Sequence, residues 1–193
     1  MRHRRAPSFF LLLAAAVLTA GSALAQPVPE DRGRNQNQKS EWELEQEKRN
    51  WKEGDVKLPA YPKAEGMIEF FVSGATSFRF FIDPESVAPG PDSVVRYTLI
   101  ARSPSGVSNV SYEGIRCDTN SFRVYALGND GRWSARESEW RAIEPRSVQR
   151  WHLELRTQYF CPGRIAIHTA AEGVDALRRG GHPAASIKTG SER

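Results

Sequence analysis

Cysteine occurs only twice in 193 residues, at Cys117 and Cys161, and histidine only four times. Two cysteines this far apart do not make a redox pair, which usually has two residues between its thiols, and without further ligands at suitable spacing they do not make a metal site. The histidines form no His-x-x-x-His or Glu-x-x-His pair, and no Gly-x-Ser-x-Gly elbow is present, so the common metallohydrolase and serine-hydrolase signatures are missing. Long apolar runs are equally scarce. The only one, Phe9 to Leu18, is about half of the ~20 residues needed to cross a bilayer. Nor is there a real excess of charge. Lys and Arg total 27 against 23 Asp and Glu, and three of the basic residues, Arg2, Arg4 and Arg5, precede the apolar run in a stretch without acids. Without them the chain is close to neutral, so its pI of about 9.3 describes the amino terminus, and net charge gives no ground for nucleic-acid binding.

What is present begins with that terminus. A basic start, an apolar run and the small-residue ending Ala23-Leu24-Ala25 form the pattern of a secretory signal over residues 1–25, with cleavage expected before Gln26. No cysteine follows for lipid attachment, and the mature chain is expected to be exported and soluble, without a membrane span. Residues 26–39 are polar, carry two prolines and have no apolar period, which is the composition of a solvated linker. Residues 179–193, with Gly180-Gly181 and a polar end, read as a second disordered tail. A single domain is expected over residues 40–178, long enough for one hydrophobic core.

Ser40-Glu41-Trp42-Glu43 has the spacing of a capping box and opens a helix running toward Trp51, lying on the surface and pinned by its tryptophans. From residue 67 the apolar period changes to two. Strands are predicted at Met67–Ser73, Phe78–Ile82, Ser93–Arg102, Val107–Cys117 and Ser121–Gly128, joined by short turns at Ser103-Pro104-Ser105-Gly106, Asp118-Thr119-Asn120 and Asn129-Asp130-Gly131. In the third of these, Val95, Tyr97, Leu99 and Ala101 share a dry face, and Arg96, Thr98 and Arg102 share one that is wet or covered by helix. Pro145 starts a second helix with a stripe at Val148, Trp151, Leu155 and Tyr159, ended by Cys161-Pro162-Gly163; Ile165-Ala166-Ile167 reads as a last strand and Val174–Arg179 as a terminal helix. The fold class is therefore α+β: an antiparallel meander with an amphipathic helix packed on one face and one disulfide.

In an exported chain, two cysteines predict a Cys117–Cys161 bridge fastening helix to sheet, worth about 4 kcal/mol for a loop of this length. No cofactor is expected and no catalytic residues are assigned. A Ser111, His152 and Asp118 triad has nothing to select it over other combinations. Asp83-Pro84-Glu85-Ser86 and Glu113 offer carboxylates for a glycosidase, yet Asp83 and Ser86 suit a turn, and Glu113 on a wet face suits an ion pair with a neighbouring Arg. His152, His168 and His182 each read as half-buried or solvated. The remaining candidate is a partner-binding patch of Arg132, Trp133, Arg136, Trp140 and Arg141, for which the alternative is that both rings cover the open edge of the sheet.

The ordered motifs Leu58-Pro59-Ala60-Tyr61-Pro62, Ile68-Glu69-Phe70-Phe71-Val72, Phe81-Ile82-Asp83-Pro84-Glu85-Ser86, Val95-Arg96-Tyr97-Thr98 and Ser111-Tyr112-Glu113-Gly114-Ile115-Arg116-Cys117 resemble those of the CNP-like family of exported proteobacterial proteins, over roughly residues 42–170. The resemblance implies a Gram-negative periplasmic setting and no particular activity. A weaker likeness, to surface-adhesin protein E domains, runs through Phe81, Asp83, Ser86, Tyr112, Glu113, Cys117 and Arg123 and implies a related fold. The expectation from the sequence is a non-catalytic periplasmic binding or envelope-assembly module whose partner is an envelope protein or a glycan. The alternatives are an adhesin-like surface protein and a carboxylate-dependent envelope hydrolase.

Overall fold

The structure, a computed structural model, describes residues 40–136, 138–145 and 150–188. The expected signal and linker, residues 1–39, lie outside the described residues. The chain divides into a unit of residues 1–46 and a second of residues 47–193. Helix α1, Glu41–Asn50, begins with the expected capping box: the Ser40 Oγ accepts from the Glu43 amide at 3.3 Å, and the Glu43 carboxylate accepts from the Ser40 amide at 2.7 Å. Trp42 does not pin this helix, for it is 69% exposed.

The second unit is built on an antiparallel sheet of β1 (Ile68–Phe70), β2 (Arg79–Pro89), β3 (Val94–Arg102), β4 (Ser108–Arg116), β5 (Ser121–Asn129) and β6 (Arg132–Ala135), in that spatial order, with β7 (Arg141–Ala142) pairing β5 beside β6. This is the predicted meander, extended by two short strands in a stretch with no clear period-two signal. Its turns follow from local chemistry. Between β5 and β6 the two-residue connection Asp130-Gly131 has positive φ at both positions, 48° and 75°, the geometry that matches the twist of a tight hairpin.

Strand β2 is longer than expected because Asp83-Pro84-Glu85-Ser86 does not end it. The register shifts between Asp83 and Ala88, so the segment is a bulge inside a strand, where a proline without an N–H is tolerated. The expected local bonds are still made: Asp83 Oδ1 accepts from the Glu85 amide at 3.1 Å and Ser86 Oγ donates to the Asp83 carbonyl at 2.7 Å. Ser86 Oγ also accepts from the Thr98 amide at 2.7 Å, restoring a ladder bond that the bulge would otherwise lose.

One face of the sheet carries the helical layer. Helix α2, Arg150–Glu154, continues as a π-helical segment, Leu155–Phe160, whose wider turn brings Leu155 and Phe160 to the same side; both are fully buried. The Phe160 ring centroid lies 5.3 Å from that of Tyr97. Of the predicted stripe, Trp151, Leu155 and Tyr159 pack against the main core, while Val148 lies outside the described residues. Cys117 and Cys161 are bridged with Cα atoms 5.5 Å apart, tying the end of β4 to the end of this layer. Ile165–Ile167 is not a strand: its residues have no sheet partner, and the Ile167 amide donates to the Phe160 carbonyl instead. Helix α3, Ala170–Arg178, starts earlier than expected because Thr169 caps it, its side chain accepting from the Glu172 amide. Past Arg178 the chain runs through a turn and a 3₁₀ segment, Pro183–Lys188, with the His182 amide donating to the Gln158 carbonyl; residues 189–193 lie outside the described residues.

The opposite face is covered by extended chain rather than by helix. Residues 51–61 cross it as a strap. Trp51 Nε1 donates to the Asp92 carbonyl at 2.8 Å, and the Arg116 guanidinium sits 3.7 Å from the Trp51 ring centroid. The Gly54 amide donates to Asp92 Oδ2 at 2.7 Å, and Glu53 pairs with Arg123 at 2.6 Å and with Arg96 at 3.6 Å. Arg96 and Thr98, expected on a face that is wet or under a helix, are therefore buried beneath the strap. Asp92 is held below the usual carboxylate range: burial opposes this, but the Arg96 guanidinium and the Gly54 amide outweigh it.

Candidate functional site

The helix-bearing face is only partly covered. Beyond the amino-terminal end of α2 the described residues leave the sheet floor open as a trough of about 510 Å³, within the range of small-ligand sites. Its floor is Leu99 and Ala101 from β3, Ser111 and Glu113 from β4, and Val124 from β5. On one side stands an aromatic wall of Phe78, Phe80 and Trp151, in which the Phe80 and Trp151 rings stack at 5.3 Å. Leu127, Arg136 and Arg141 line it from the β5 to β7 side. Phe78 and Leu127 are about 40% exposed and stand at the rim of the trough.

Glu113 lies at the bottom. It was expected on a wet face with an arginine, and the structure corrects this: it is opposite Tyr97 in the β3–β4 register and only 4% exposed. Its Oε2 accepts from the Tyr97 hydroxyl at 3.1 Å and lies 2.8 Å from His152 Nε2, while its Oε1 accepts from Ser111 Oγ at 2.7 Å. Burial pushes the Glu113 carboxyl up, but the His152 charge and the three hydrogen bonds more than offset it and hold the group below its ordinary value. Burial and the adjacent carboxylate push the Tyr97 phenol well above its own. The His152 ring stacks on Phe122 at 3.7 Å between centroids. His152, assigned no role by the sequence, is thus the counter-group that makes a buried carboxylate tolerable.

The nominated triad does not form. Ser111 and His152 do come together, but through the carboxylate between them, whereas nucleophile activation needs the imidazole between hydroxyl and carboxylate. Asp118 is elsewhere, paired with Arg116 at 2.7 Å. The glycosidase pair fails on geometry. Asp83 is registered with Thr98 and Glu113 with Tyr97, consecutive residues of β3 whose side chains point to opposite faces, so the two carboxylates are separated by the sheet.

The Arg/Trp group is distributed over both faces. Trp133 packs against Tyr61 at 5.2 Å between centroids and donates its Nε1–H to the Pro59 carbonyl at 2.9 Å, so it anchors the strap. Trp140 meets Trp51 edge-on at 5.9 Å on that same side. Arg132 flanks Trp133 at the β5–β6 hairpin. Arg141 instead lines the trough and lies over the Phe122 ring at 4.8 Å, while Arg136 stands at the edge, lining both the trough and a strap-side pocket with Val56, Leu58 and Tyr125.

The sequence profile of the CNP1-like family matches residues 46–178, which takes in the strap, the whole sheet, both cysteines and the helical layer. Cryptic neisserial protein 1 of Neisseria gonorrhoeae is 27% identical over 195 positions, an alignment that covers 92% of this chain and 96% of that relative. No solved structure matches the chain. With more than half of its length under the family profile, this chain belongs to the CNP1-like family.

Proposed function

We propose that this protein is a non-catalytic binding module that works in the periplasm after export, and that its ligand occupies the trough on the helix-bearing face. The observation that carries this reading is the trough itself: an apolar floor and an aromatic wall left uncovered beside a packed core, with its polar floor groups already bonded to one another. A hydrolytic site needs a carboxylate or hydroxyl free to attack or to transfer a proton. Here Glu113 is held by Tyr97, Ser111 and His152, which suits a rigid floor better than a reacting centre. Export is supported by the amino-terminal signal pattern and by a disulfide, which persists in oxidising compartments.

The test uses the neutral apolar dye Nile red on the purified mature chain. Saturable binding of one equivalent, lost in Ala101→Trp because the indole fills the floor while the melting temperature is retained, is the expected result. Binding that is absent, or that survives this block, overturns the reading.

A further inference from the structure

We infer that the ligand of this trough is an amphiphile with a hydrocarbon body and one terminal carboxylate, whose head is gripped by Arg136 and Arg141. The inference rests on the binding reading above and names the ligand class. The two sides of the trough differ in chemistry. Phe78, Phe80 and Trp151 form an apolar wall on one side, and the floor between is Leu99, Ala101 and Val124; the other side carries the two guanidinium groups. A polar molecule such as a sugar would have only Thr76, Asn109 and the arginines as partners besides the already bonded Ser111 and Glu113, and each hydroxyl left unpaired against the wall and floor costs about 1–3 kcal/mol. A hydrocarbon chain loses no hydrogen bond there and gains about 25 cal/mol for each Å² removed from water.

The charge of the head follows from the arginines. Arg96, Arg116 and Arg123, which serve the opposite face, each have a carboxylate partner at 2.6–2.7 Å. Arg136 and Arg141 have none among the described residues, although both line the trough. Among the described residues the only side-chain partner of Arg141 is the Phe122 ring, and the Arg136 side chain makes no hydrogen bond or ion pair. Guanidinium groups present forked donors that suit a carboxylate, and the lining offers two of them, Arg136 just past β6 and Arg141 on β7. Glu113 sets the other limit. Its carboxylate at the floor, whose oxygens already accept from Tyr97 and Ser111, leaves no free donor for an anion deep in the trough and works more strongly against a dianionic head than against a monoanion. The head therefore sits at the arginine side and the chain runs toward Phe78.

The experiment is displacement of Nile red by decanoate and by decanol, which share the hydrocarbon body and differ in head charge. Decanoate is expected to displace the dye at a concentration at least tenfold lower than decanol, and the double variant Arg136→Ala, Arg141→Ala is expected to remove that advantage while the dye still binds. Both arginines are exposed, so the fold is retained, and a melting curve checks this. The reversed variant Arg136→Glu, Arg141→Glu is expected to prefer decylamine over decanoate, a gain that no unfolding produces. Equal displacement by decanoate and decanol, or an advantage that persists in the double alanine variant, overturns the ligand class while the trough stands as a binding site. Loss of dye binding by the unaltered protein overturns both.

Discussion

Glu113 is the position where removal of a side chain reports most directly on how the polar floor is held. Alanine there takes away every acceptor that Tyr97, Ser111 and His152 use. Ser111 is only half-buried and can turn to water, so the cost concentrates in the Tyr97 hydroxyl and the imidazole, both deeply buried. Each stranded group costs about 1–3 kcal/mol, giving about 4 kcal/mol for the pair. Glutamine preserves the shape. Its carbonyl at the Oε2 position still accepts from Tyr97 and His152, and its amide donates to the Ser111 oxygen, so only the charge assistance is lost, about 1–2 kcal/mol. At roughly 2–4 °C per kcal/mol for a domain of this size, Glu113→Ala is expected to melt about 12 °C lower and Glu113→Gln about 4 °C lower.

The pH dependence has a definite sign. The folded carboxyl lies below its reference value of 4.5, so its contribution to stability is complete above that value and is lost as pH falls through the lower folded value. The gap between the parent and Glu113→Gln is therefore full at pH 6 and closes on acidification below about pH 4. Thermal melts followed by circular dichroism at pH 7, 5 and 3.5 measure both effects. Equal destabilisation by alanine and glutamine, or a glutamine gap undiminished at pH 3.5, contradicts an ionised carboxylate held by its neighbours.

Cys117→Ser opens a bridge that spans 44 positions and is expected to lower stability by about 4 kcal/mol and the melting temperature by about 12 °C; native parent protein is expected to show no labelled thiol, and ready labelling contradicts the bridge. Amino-terminal sequencing of the protein recovered from the periplasmic fraction is expected to begin at Gln26, and recovery of intact Met1 in the cytoplasmic fraction contradicts export.

Much of the architecture was legible because it depends on short-range chemistry. Alternating apolar residues between Gly, Pro and Asn turns can make only strands, and short turns between consecutive strands can make only an antiparallel meander. The capping box at Ser40 forms as its spacing predicts. The equivalent signal Thr169-Ala170-Ala171-Glu172 was also in the sequence, and reading it would have started α3 at the right place. Even the position of Glu113 was within reach. The turn at Ser103–Gly106 pairs Arg102 with Ser108, and counting outward puts Glu113 opposite Tyr97, on the dry face.

The sequence by itself determined the order of β1 to β5, the disulfide and the chemistry available, because turn residues, period and cysteine count act over a few neighbouring positions. The tertiary structure alone decided which side chains meet. Glu113 finds His152 from 39 positions away, and Trp133 finds Pro59 from 74. It also divided the arginines and tryptophans of residues 132–141 between two faces, since strand side chains alternate and the strap covers one face while the helical layer covers only part of the other. The open remainder of that second face is the trough, and no local pattern specifies it, because it is made by what the packed elements leave uncovered.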